Sequence, residues 1–379
     1  MNILFFVGTL NAGGAERVAT TLAHAWAVRG YRVTLVVTHL GSDRSFYGLH
    51  PDIHVVWLGQ YVGRWTAVCG PALAKLWAMR RLVRHTHPDV VLSFLTNVNV
   101  NVLMATRGLD VPVIVAERTN PAHSQAAGRV LRAMRRWLYP RAQAVLVQTQ
   151  ASIDDMHVAV PGLKHVWAIP NPLPPALPVP SDSVQASVSA QGRGRRLRIV
   201  AMGRLVASKQ FDQLIHAFSG IASQHPGWEL VIWGDGPRRS ALQQQIDSLG
   251  LANRVQLPGV TRQPWHELAQ AQLFAMTSRV EGFPNVLLEA MALGCPAVVV
   301  DCPSGPAEMT QQGELARLVP LDDLPALSAA LQALMSDSAL RRRLGEKGAQ
   351  DVAVRYDLEA ILEQWDAVFR AVSRSPSSA

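Results

Sequence analysis

Short apolar runs alternate with longer amphipathic stretches along the first half of the chain. The runs typical of buried strands lie at residues 3–7, 32–38, 54–58, 89–94, 112–116 and 143–148. Residues 15–29 and 73–84 show helical periodicity between them. Near-continuous apolar strands separated by helices predict a parallel sheet that is covered on both faces.

The same alternation restarts at residue 197, after a stretch rich in Pro, Ser, Ala, Gln and Gly. The second set of strands is predicted at residues 197–202, 228–233, 254–257, 273–277 and 297–300, with helices at 210–223 and 285–293. We therefore expect an α/β protein with two Rossmann-like doubly wound domains, 1–170 and 197–356, joined by a linker at 171–196. The segment 357–379 contains a final amphipathic helix at 357–372 and a polar tail.

Length and composition agree with two globular domains. The chain has 379 residues, of which 49% are hydrophobic and 17% charged, and a single core stops growing at roughly 250–300 residues. The three cysteines, Cys69, Cys295 and Cys302, form no CxxC pair, so we expect neither a disulfide framework nor a zinc site and favour a reduced cytoplasmic location. No apolar run is long enough to span a bilayer, and residues 3–7 lack the basic leader of a signal peptide.

Positive charge is concentrated in the first half of the chain. Residues 1–180 carry 17 Lys and Arg against 8 Asp and Glu, whereas residues 181–379 carry 19 against 20. This asymmetry indicates that the first domain meets an anionic partner, which could be nucleic acid, a membrane surface or a phosphorylated ligand.

A glycine-rich turn follows the first predicted strand and opens the first helix. Gly13 and Gly14 allow a ligand to approach the backbone, and the N–H groups of the helix N-terminus attract an anion. The spacing is neither GxGxxG nor a P-loop, which disfavours a dehydrogenase or an NTPase. The alternative is a turn without a ligand.

Two cations follow the first strand of the second domain. Arg204 and Lys209 stand in the sequence Gly-Arg-Leu-Val-Ala-Ser-Lys, in the loop where such a fold binds ligands. Without a metal, the roughly two negative charges of a diphosphate must be met by Arg, Lys and backbone dipoles. The alternative is a solvated loop.

The most informative segment is Glu-Gly-Phe-Pro-Asn-Val-Leu-Leu-Glu-Ala-Met at residues 281–291. Glu281 lies in a loop after a strand, and a helix predicted from Asn285 brings Glu289 toward the same crevice. A carboxylate accepts hydrogen bonds from neighbouring hydroxyls, so this pair suits a ribose or a hexose. The alternative is an acidic residue that only complements the helix dipole.

These three motifs, in this order, resemble glycosyltransferase family 4, a group of retaining glycosyltransferases with the GT-B fold. The resemblance covers essentially the whole chain, and the two glutamates eight positions apart are its most specific element. It implies two Rossmann-like domains facing a central cleft, with the acceptor bound by the first domain and the nucleotide-sugar donor by the second.

The resemblance also implies roles for individual residues. Arg204 and Lys209 would bind the donor diphosphate, Glu289 the ribose, and Glu281 the transferred sugar. The other implied donor contacts are Gly13, Gly14, Gly234, Leu257, Gly282, Phe283, Pro284, Asn285 and Val286. Residues 233–237 and 255–259 would border the base, Asn171 would belong to the hinge, and the last helix would cross back to the first domain.

Two departures from the family pattern concern the loop after Lys209 and the first domain. Gln210 stands where the family often has Gly. No first-domain His is matched, but residues 116–121 resemble the Ser-Glu-Arg-Asn-x-Pro element of bacterial polysaccharide transferases. Glu117 and Arg118 therefore join Glu281, Arg204 and Lys209 as catalytic candidates, with His123 as a weaker one. The alternative is an ordinary ion pair between Glu117 and Arg118.

The resemblance implies a retaining transfer of a hexose or N-acetylhexosamine, most often from a UDP-sugar, in surface polysaccharide or lipid-linked glycan assembly. No Asp-x-Asp occurs, so we expect no metal and no cofactor. Residues 301–306 resemble a variant common among enzymes that build O-antigen, capsule or lipid-linked oligosaccharide.

The basic helix of the first domain indicates where the acceptor lies. Its arginines are Arg129, Arg132, Arg135 and Arg136, and Arg80, Arg81 and Arg84 form a second cluster. Trp and Leu beside these arginines suit the anionic inner face of the cytoplasmic membrane, so we expect a polyprenyl-diphosphate-linked acceptor and a peripheral location. A solvated face, a nucleotide-sugar 2-epimerase of similar fold and a nucleic-acid-binding protein are the alternatives, although no nucleic-acid module accompanies the charge.

Overall fold

A computed structural model describes residues 1–41, 44–62, 66–122, 128–175, 177–178 and 196–373, with the backbone alone at 66–69. The chain forms two compact units, one from Met1–Pro172 with Leu358–Ala379 and one from Leu173–Asp357. These bounds lie beside residues 170 and 357, and most of the segment 171–196 falls outside the described residues. No helix among the described residues is long and apolar enough to cross a membrane.

Unit 1 contains a parallel seven-stranded sheet with the order β3-β2-β1-β4-β5-β6-β7. Its strands are β1 (Asn2–Val7), β2 (Arg32–Val37), β3 (His54–Trp57), β4 (Val90–Phe94), β5 (Val113–Ala116), β6 (Ala144–Val147) and β7 (Val166–Ala168). Its helices are α1 (Gly14–Val28), α2 (Leu58–Val62), α3 (Thr66–Thr86), α4 (Thr96–Ala105), α5 (Arg129–Leu138), α6 (Ala151–Ala159) and α14 (Leu358–Ser373). The five inner strands are almost entirely buried, as a sheet covered on both faces requires.

The last helix, α14, completes the core on one face of this sheet. Trp365 is 2% exposed and packs against Trp26 and Phe369, with ring centroids 5.4 and 5.9 Å away. Phe5 and Phe94 extend the aromatic cluster toward the strands, 4.7 Å apart and edge to face. Edge-to-face rings add to the free energy of apolar burial, so α14 is an integral part of unit 1.

Unit 2 contains a parallel six-stranded sheet with the order β10-β9-β8-β11-β12-β13. Its strands are β8 (Leu197–Met202), β9 (Trp228–Trp233), β10 (Val255–Gly259), β11 (Leu273–Met276), β12 (Ala297–Asp301) and β13 (Arg317–Pro320). Its helices are α7 (Phe211–Ile221), α8 (Arg239–Ser248), α9 (Pro264–Ala269), α10 (Asn285–Ala292), α11 (Pro306–Met309), α12 (Leu324–Ser336) and α13 (Ser338–Arg355). The two sheets confirm the predicted α/β class with two Rossmann-like domains.

The pattern of apolar residues did not reveal one strand of each sheet. Both β7 and β13 lie at an edge, and each has a single neighbour. β7 has three residues and exposes Trp167, and β13 exposes Arg317 and Pro320. With three and four residues, these edge strands are too short to form the apolar run that marks a buried strand, and a short edge limits pairing with other chains.

We expect Trp365→Ala to destabilise unit 1 by about 3–5 kcal/mol, because truncation of a fully packed Trp leaves a cavity. Urea unfolding measures the loss. Gln364→Ala, at an exposed position of the same helix, should change the free energy of unfolding by less than about 0.5 kcal/mol. Equal changes in the free energy of unfolding for the two substitutions would show that Trp365 of α14 does not contribute to the core of unit 1.

Candidate active site

Three loops of unit 2 are joined at the carboxyl ends of β8, β9 and β10. The Gly203 N–H donates to the carbonyl of Trp233 at 3.0 Å, and the Gly234 N–H donates to that of Gly259 at 2.7 Å. Gly234 has a φ of 144°, and a Cβ there would lie 1.9 Å from the Gly203 oxygen. Only glycine permits this approach, which holds the loop that carries Arg204 against the one predicted to border the base.

The loop after β8 ends in a residue with left-handed backbone. Gln210 has a φ of 49°, and its side-chain Nε2 donates to Asp322 Oδ1 at 3.1 Å. Arg279 also contacts that oxygen, at 2.5 Å, and the bonds from Gln210 and Arg279 together lower the pKa of Asp322. Gln210 thus adopts a left-handed backbone conformation that the family's glycine adopts readily. For a residue with a side chain, this conformation costs roughly 1–2 kcal/mol of stability.

Lys209 and Glu281, predicted separately from two motifs, lie together. Lys209 Nζ forms an ion pair with Glu281 Oε1, with side chains 25% and 14% exposed. Thr277 Oγ1 donates to the Lys209 carbonyl at 2.9 Å, and Ser304 Oγ donates to that of Glu281 at 3.2 Å. These bonds fix the backbone of both residues, so the pair stands at a defined place after β8 and β11.

Glu289 lies on α10 and is buried, with 2% of its surface exposed. Its Oε2 accepts a hydrogen bond of 2.9 Å from Trp265 Nε1, on α9. An indole N–H bonded to a buried carboxylate satisfies both groups and restricts the carboxylate to one orientation.

The other predicted donor contacts in unit 2 differ in exposure. Arg204 is exposed, whereas Phe283 is buried and packs against Tyr356 at 5.7 Å. Pro284 precedes α10, which begins at Asn285. The Leu257 side chain belongs to the core, 7% exposed, and its carbonyl accepts from Arg239 at 2.5 Å. Gly282 and Val286 are intermediate in exposure.

The glycine-rich turn of unit 1 is held by a tyrosine that the sequence motifs did not indicate. The Tyr47 hydroxyl accepts from the Gly13 N–H at 3.1 Å and donates to the Gly13 carbonyl at 2.9 Å. Glu16, in the first turn of α1, accepts from Thr9 Oγ1 at 2.8 Å. The start of α1, at Gly14, therefore already has a carboxylate beside it.

Glu117, predicted as a catalytic candidate, lies in the interior of unit 1 and faces Arg135, which contradicts the alternative of an ion pair with Arg118. It is 1% exposed, accepts from Tyr139 at 2.5 Å and from Thr96 at 2.7 Å, and lies 3.8 Å from Arg135. Burial raises the pKa of Glu117, opposed by these hydrogen bonds and by Arg135. Its contacts are those of a residue that joins β5 to α4 and α5.

Arg118 points to different partners. Its NH2 group donates to Asn171 Oδ1, and its guanidinium carbon lies 4.2 Å from the ring centroid of Phe94. Asn171, predicted as a hinge residue, is 2% exposed and also accepts from Gln148 at 3.0 Å. His123 lies outside the described residues.

Comparison with protein families decides the identity. The profile of Glycosyltransferase Family 4 matches residues 12–177, and that of Glycosyl transferases group 1 matches residues 188–351. The chain belongs to glycosyltransferase family 4. The predicted motifs thus lie in two matched regions that cover most of the chain.

Individual relatives agree with this family. The chain is similar to a Campylobacter jejuni enzyme named as the alpha-1,4-N-acetyl-D-galactosaminyltransferase of a glycan-diphospho-undecaprenol, with 27% identity over 96% of the chain and 97% of the enzyme. It is 41% identical to an exopolysaccharide phosphotransferase of Streptomyces coelicolor over 53% of the chain, a match that spans only 20% of that protein. The Anabaena protein HepE, solved with UDP, superposes with a TM-score of 0.79 at 21% identity, covering 98% of this chain and all of HepE. This likeness establishes the GT-B glycosyltransferase fold.

We expect Trp265→Phe to weaken nucleotide binding about tenfold, because Glu289, which the family pattern assigns to the ribose, loses the bond that orients it. Calorimetric titration of UDP measures the change. Trp167→Phe, on an exposed residue of unit 1, is the control and should bind UDP as the unmodified protein does. If Trp265→Phe binds UDP with unchanged affinity, the bond from Trp265 to Glu289 does not contribute to nucleotide binding.

Proposed function

We propose that this family 4 glycosyltransferase moves a hexose or N-acetylhexosamine, with retention, from a UDP-sugar to a polyprenyl-diphosphate-linked glycan. The observation that carries the proposal is the meeting of Lys209 and Glu281 in one loop cluster of unit 2. Each comes from a separate family motif. A cation for the phosphates thus lies beside a carboxylate for the sugar hydroxyls.

The ion pair suits an exchange of partners when the donor binds. Lys209 and Glu281 are both partly exposed, so a ligand that enters from solvent can reach the two side chains and replace each one's partner. In the proposal, Lys209 then pairs with the donor diphosphate together with the exposed Arg204, and the N-terminus of α10 faces the same charge. Glu281 becomes available to accept hydrogen bonds from the sugar.

Retention follows in the proposal from the position of the leaving group. The acceptor oxygen bonds to the anomeric carbon on the face from which the diphosphate departs, and the acceptor proton passes to a phosphate oxygen. Lys209 and Arg204 stabilise the negative charge that develops on the diphosphate. No protein carboxylate is required as general base, which agrees with the burial of Glu117.

The nucleotide and the metal requirement are also part of the proposal. UDP is favoured because UDP-sugars are common donors in this family, and the structural neighbour from Anabaena was solved with UDP. We propose that the reaction needs no metal, since Arg204 and Lys209 supply positive charge for the diphosphate.

The acceptor is proposed from the surface of α5 and from the relatives. Arg129, Arg132 and Arg136 are exposed on this helix, beside Val130, 75% exposed, and Trp137, 59% exposed. Cations beside exposed apolar side chains suit an anionic membrane surface. The C. jejuni relative is named for an acceptor linked to diphospho-undecaprenol.

Two arginines of the predicted basic clusters do not belong to that surface. Arg135 is 4% exposed and turns inward to Glu117 and to the Pro121 carbonyl, at 3.0 Å. Arg80 donates to the carbonyls of Ala105 and Arg107 at 2.9 and 2.7 Å and so joins α3 to the end of α4. The proposed membrane surface therefore contains fewer arginines than the two clusters predicted from the sequence.

We expect Lys209→Ala or Glu289→Ala to lower kcat/KM by about 10²–10³-fold, because each removes a donor contact that a neighbouring group does not replace. Release of UDP from a panel of UDP-sugars, measured in EDTA with a lipid-linked acceptor, reports the rate. Lys347→Ala, on an exposed lysine paired with Glu314, should leave kcat/KM unchanged. Unchanged turnover in both donor-site variants contradicts the assignment, and activity lost in EDTA but restored by Mg²⁺ contradicts metal independence.

We expect replacement of Arg129, Arg132 and Arg136 by Glu to reduce binding to anionic vesicles on the order of 100-fold or more, at about 1 kcal/mol for each basic residue near the surface. Sedimentation with phosphatidylglycerol vesicles at low salt measures the change. The control carries Glu at the exposed positions Arg342 and Arg343 of α13 and Arg317 of β13, so that its net charge changes equally, and it should bind like the unmodified protein. Equal loss in both proteins would mean that net charge alone is responsible.

A further inference from the structure

Arg118 has no carboxylate partner within 4.0 Å among the residues that the structure describes. Its NH2 group donates to the neutral side chain of Asn171, and its buried Nε has no hydrogen-bond partner. The adjacent carboxylate, Glu117, is already bonded to Tyr139 and Thr96 and faces Arg135. The cation of Arg118 is therefore not neutralised by its neighbour in the sequence.

The surroundings of this guanidinium make its isolation costly. It lies over the ring of Phe94, which packs against Phe5 at 4.7 Å and Trp365 at 6.3 Å. Burial lowers the pKa of Arg118 to about 9. Arg118 is partly exposed, and the Phe94 ring and one bond to an amide replace only part of the hydration that the enclosed side of the guanidinium loses.

A second unsatisfied polar atom lies in the same group of side chains. Gln148 is 5% exposed, and its Nε2 donates to Asn171 Oδ1 at 3.0 Å while its Oε1 has no partner. Asn171 Oδ1 thus accepts from both Arg118 and Gln148. The donor that remains unused is Arg118 Nε, and the unused acceptor is Gln148 Oε1. Unsatisfied buried polar atoms are rare in folded proteins and call for a ligand or another explanation.

The three residues come from neighbouring strand ends. Arg118 follows β5, Gln148 follows β6 directly, and Asn171 follows β7. Parallel sheets of this kind bind ligands at the carboxyl ends of their strands. The location at the strand ends of unit 1 therefore agrees with a ligand-binding role.

We propose that Arg118, Gln148 and Asn171 form a binding site for an oxyanion of the phosphate class. The guanidinium donates to the anion, and Gln148 Oε1 accepts from a hydroxyl on or beside it. Two substrates in the proposed function carry this chemistry, the donor diphosphate and the phosphates of a lipid-linked acceptor. The identification of these two substrates as possible ligands rests on the proposed function, whereas the oxyanion site itself does not.

The test uses inorganic phosphate as the probe and the full chain carrying Arg204→Ala and Lys209→Ala, so that neither proposed donor cation contributes. Phosphate at ten times its Kd should raise the melting midpoint by about 3 °C. Adding Arg118→Met should abolish that rise, and without phosphate it should leave the midpoint equal or higher, because the substitution removes an isolated cation and retains an apolar side chain. Adding Arg132→Met, on the exposed face of α5, should preserve the phosphate response.

A phosphate response that survives Arg118→Met, or that disappears equally with Arg132→Met, overturns the proposal. If Arg118→Met does not fold, Arg118→Lys decides, because it keeps the charge without the planar donor group. A weaker response of the lysine variant supports the site, and an unchanged one overturns it.

UDP titration of the single variant Arg118→Met separates the two sources. Weakened UDP binding assigns the site to the donor, and unchanged UDP binding with a raised KM for the lipid-linked substrate assigns it to the acceptor. Failure of the proposed function is distinguishable, because it appears as normal turnover in Lys209→Ala while the phosphate response is measured independently of turnover.

Discussion

Parallel pairing of the strands is the constraint on which the candidate site of each unit depends. Every strand of a parallel sheet must be followed by a crossover, so the loops after the strands collect at one edge. Lys209 and Glu281 are 72 positions apart in the chain and form an ion pair because β8 and β11 are neighbours. Arg118, Gln148 and Asn171 meet for the same reason after β5, β6 and β7. The strand order thus brings residues from separate short motifs close enough to interact.

Desolvation gives these charged groups different roles. Glu117 is enclosed and bonded to Thr96 and Tyr139, which makes it part of the framework of unit 1. Glu289 is equally buried, but it accepts a hydrogen bond from the indole of Trp265 and lies on α10, in the segment that carries the family motif. Lys209 and Glu281 remain partly exposed, as groups that exchange partners with a ligand should. Partial exposure therefore marks Lys209 and Glu281 as able to contact a substrate, whereas the two buried glutamates are told apart by their surroundings and not by burial.

Much of the fold could be predicted from the apolar pattern, because strands buried on both faces are nearly continuous apolar runs. The edge strands β7 and β13 were not predicted, because three or four residues form too short an apolar run. Helical spacing likewise grouped Arg135 with Arg129, Arg132 and Arg136, although Arg135 turns inward to Glu117. Periodicity identifies which residues share a helix face. Whether a buried carboxylate from another segment contacts one of those residues depends on the tertiary structure.

The sequence by itself determined the α/β class, the two Rossmann-like domains and the family, because these depend on local periodicity and on short motifs of contiguous residues. The tertiary structure alone decided which polar groups are paired. Trp265 beside Glu289, Tyr47 around the backbone of Gly13 and the unneutralised Arg118 had no signal in the chain. The reason is physical: a hydrogen bond or an ion pair requires atoms within about 3–4 Å, and for residues far apart in sequence only the packing of strands and helices sets that distance.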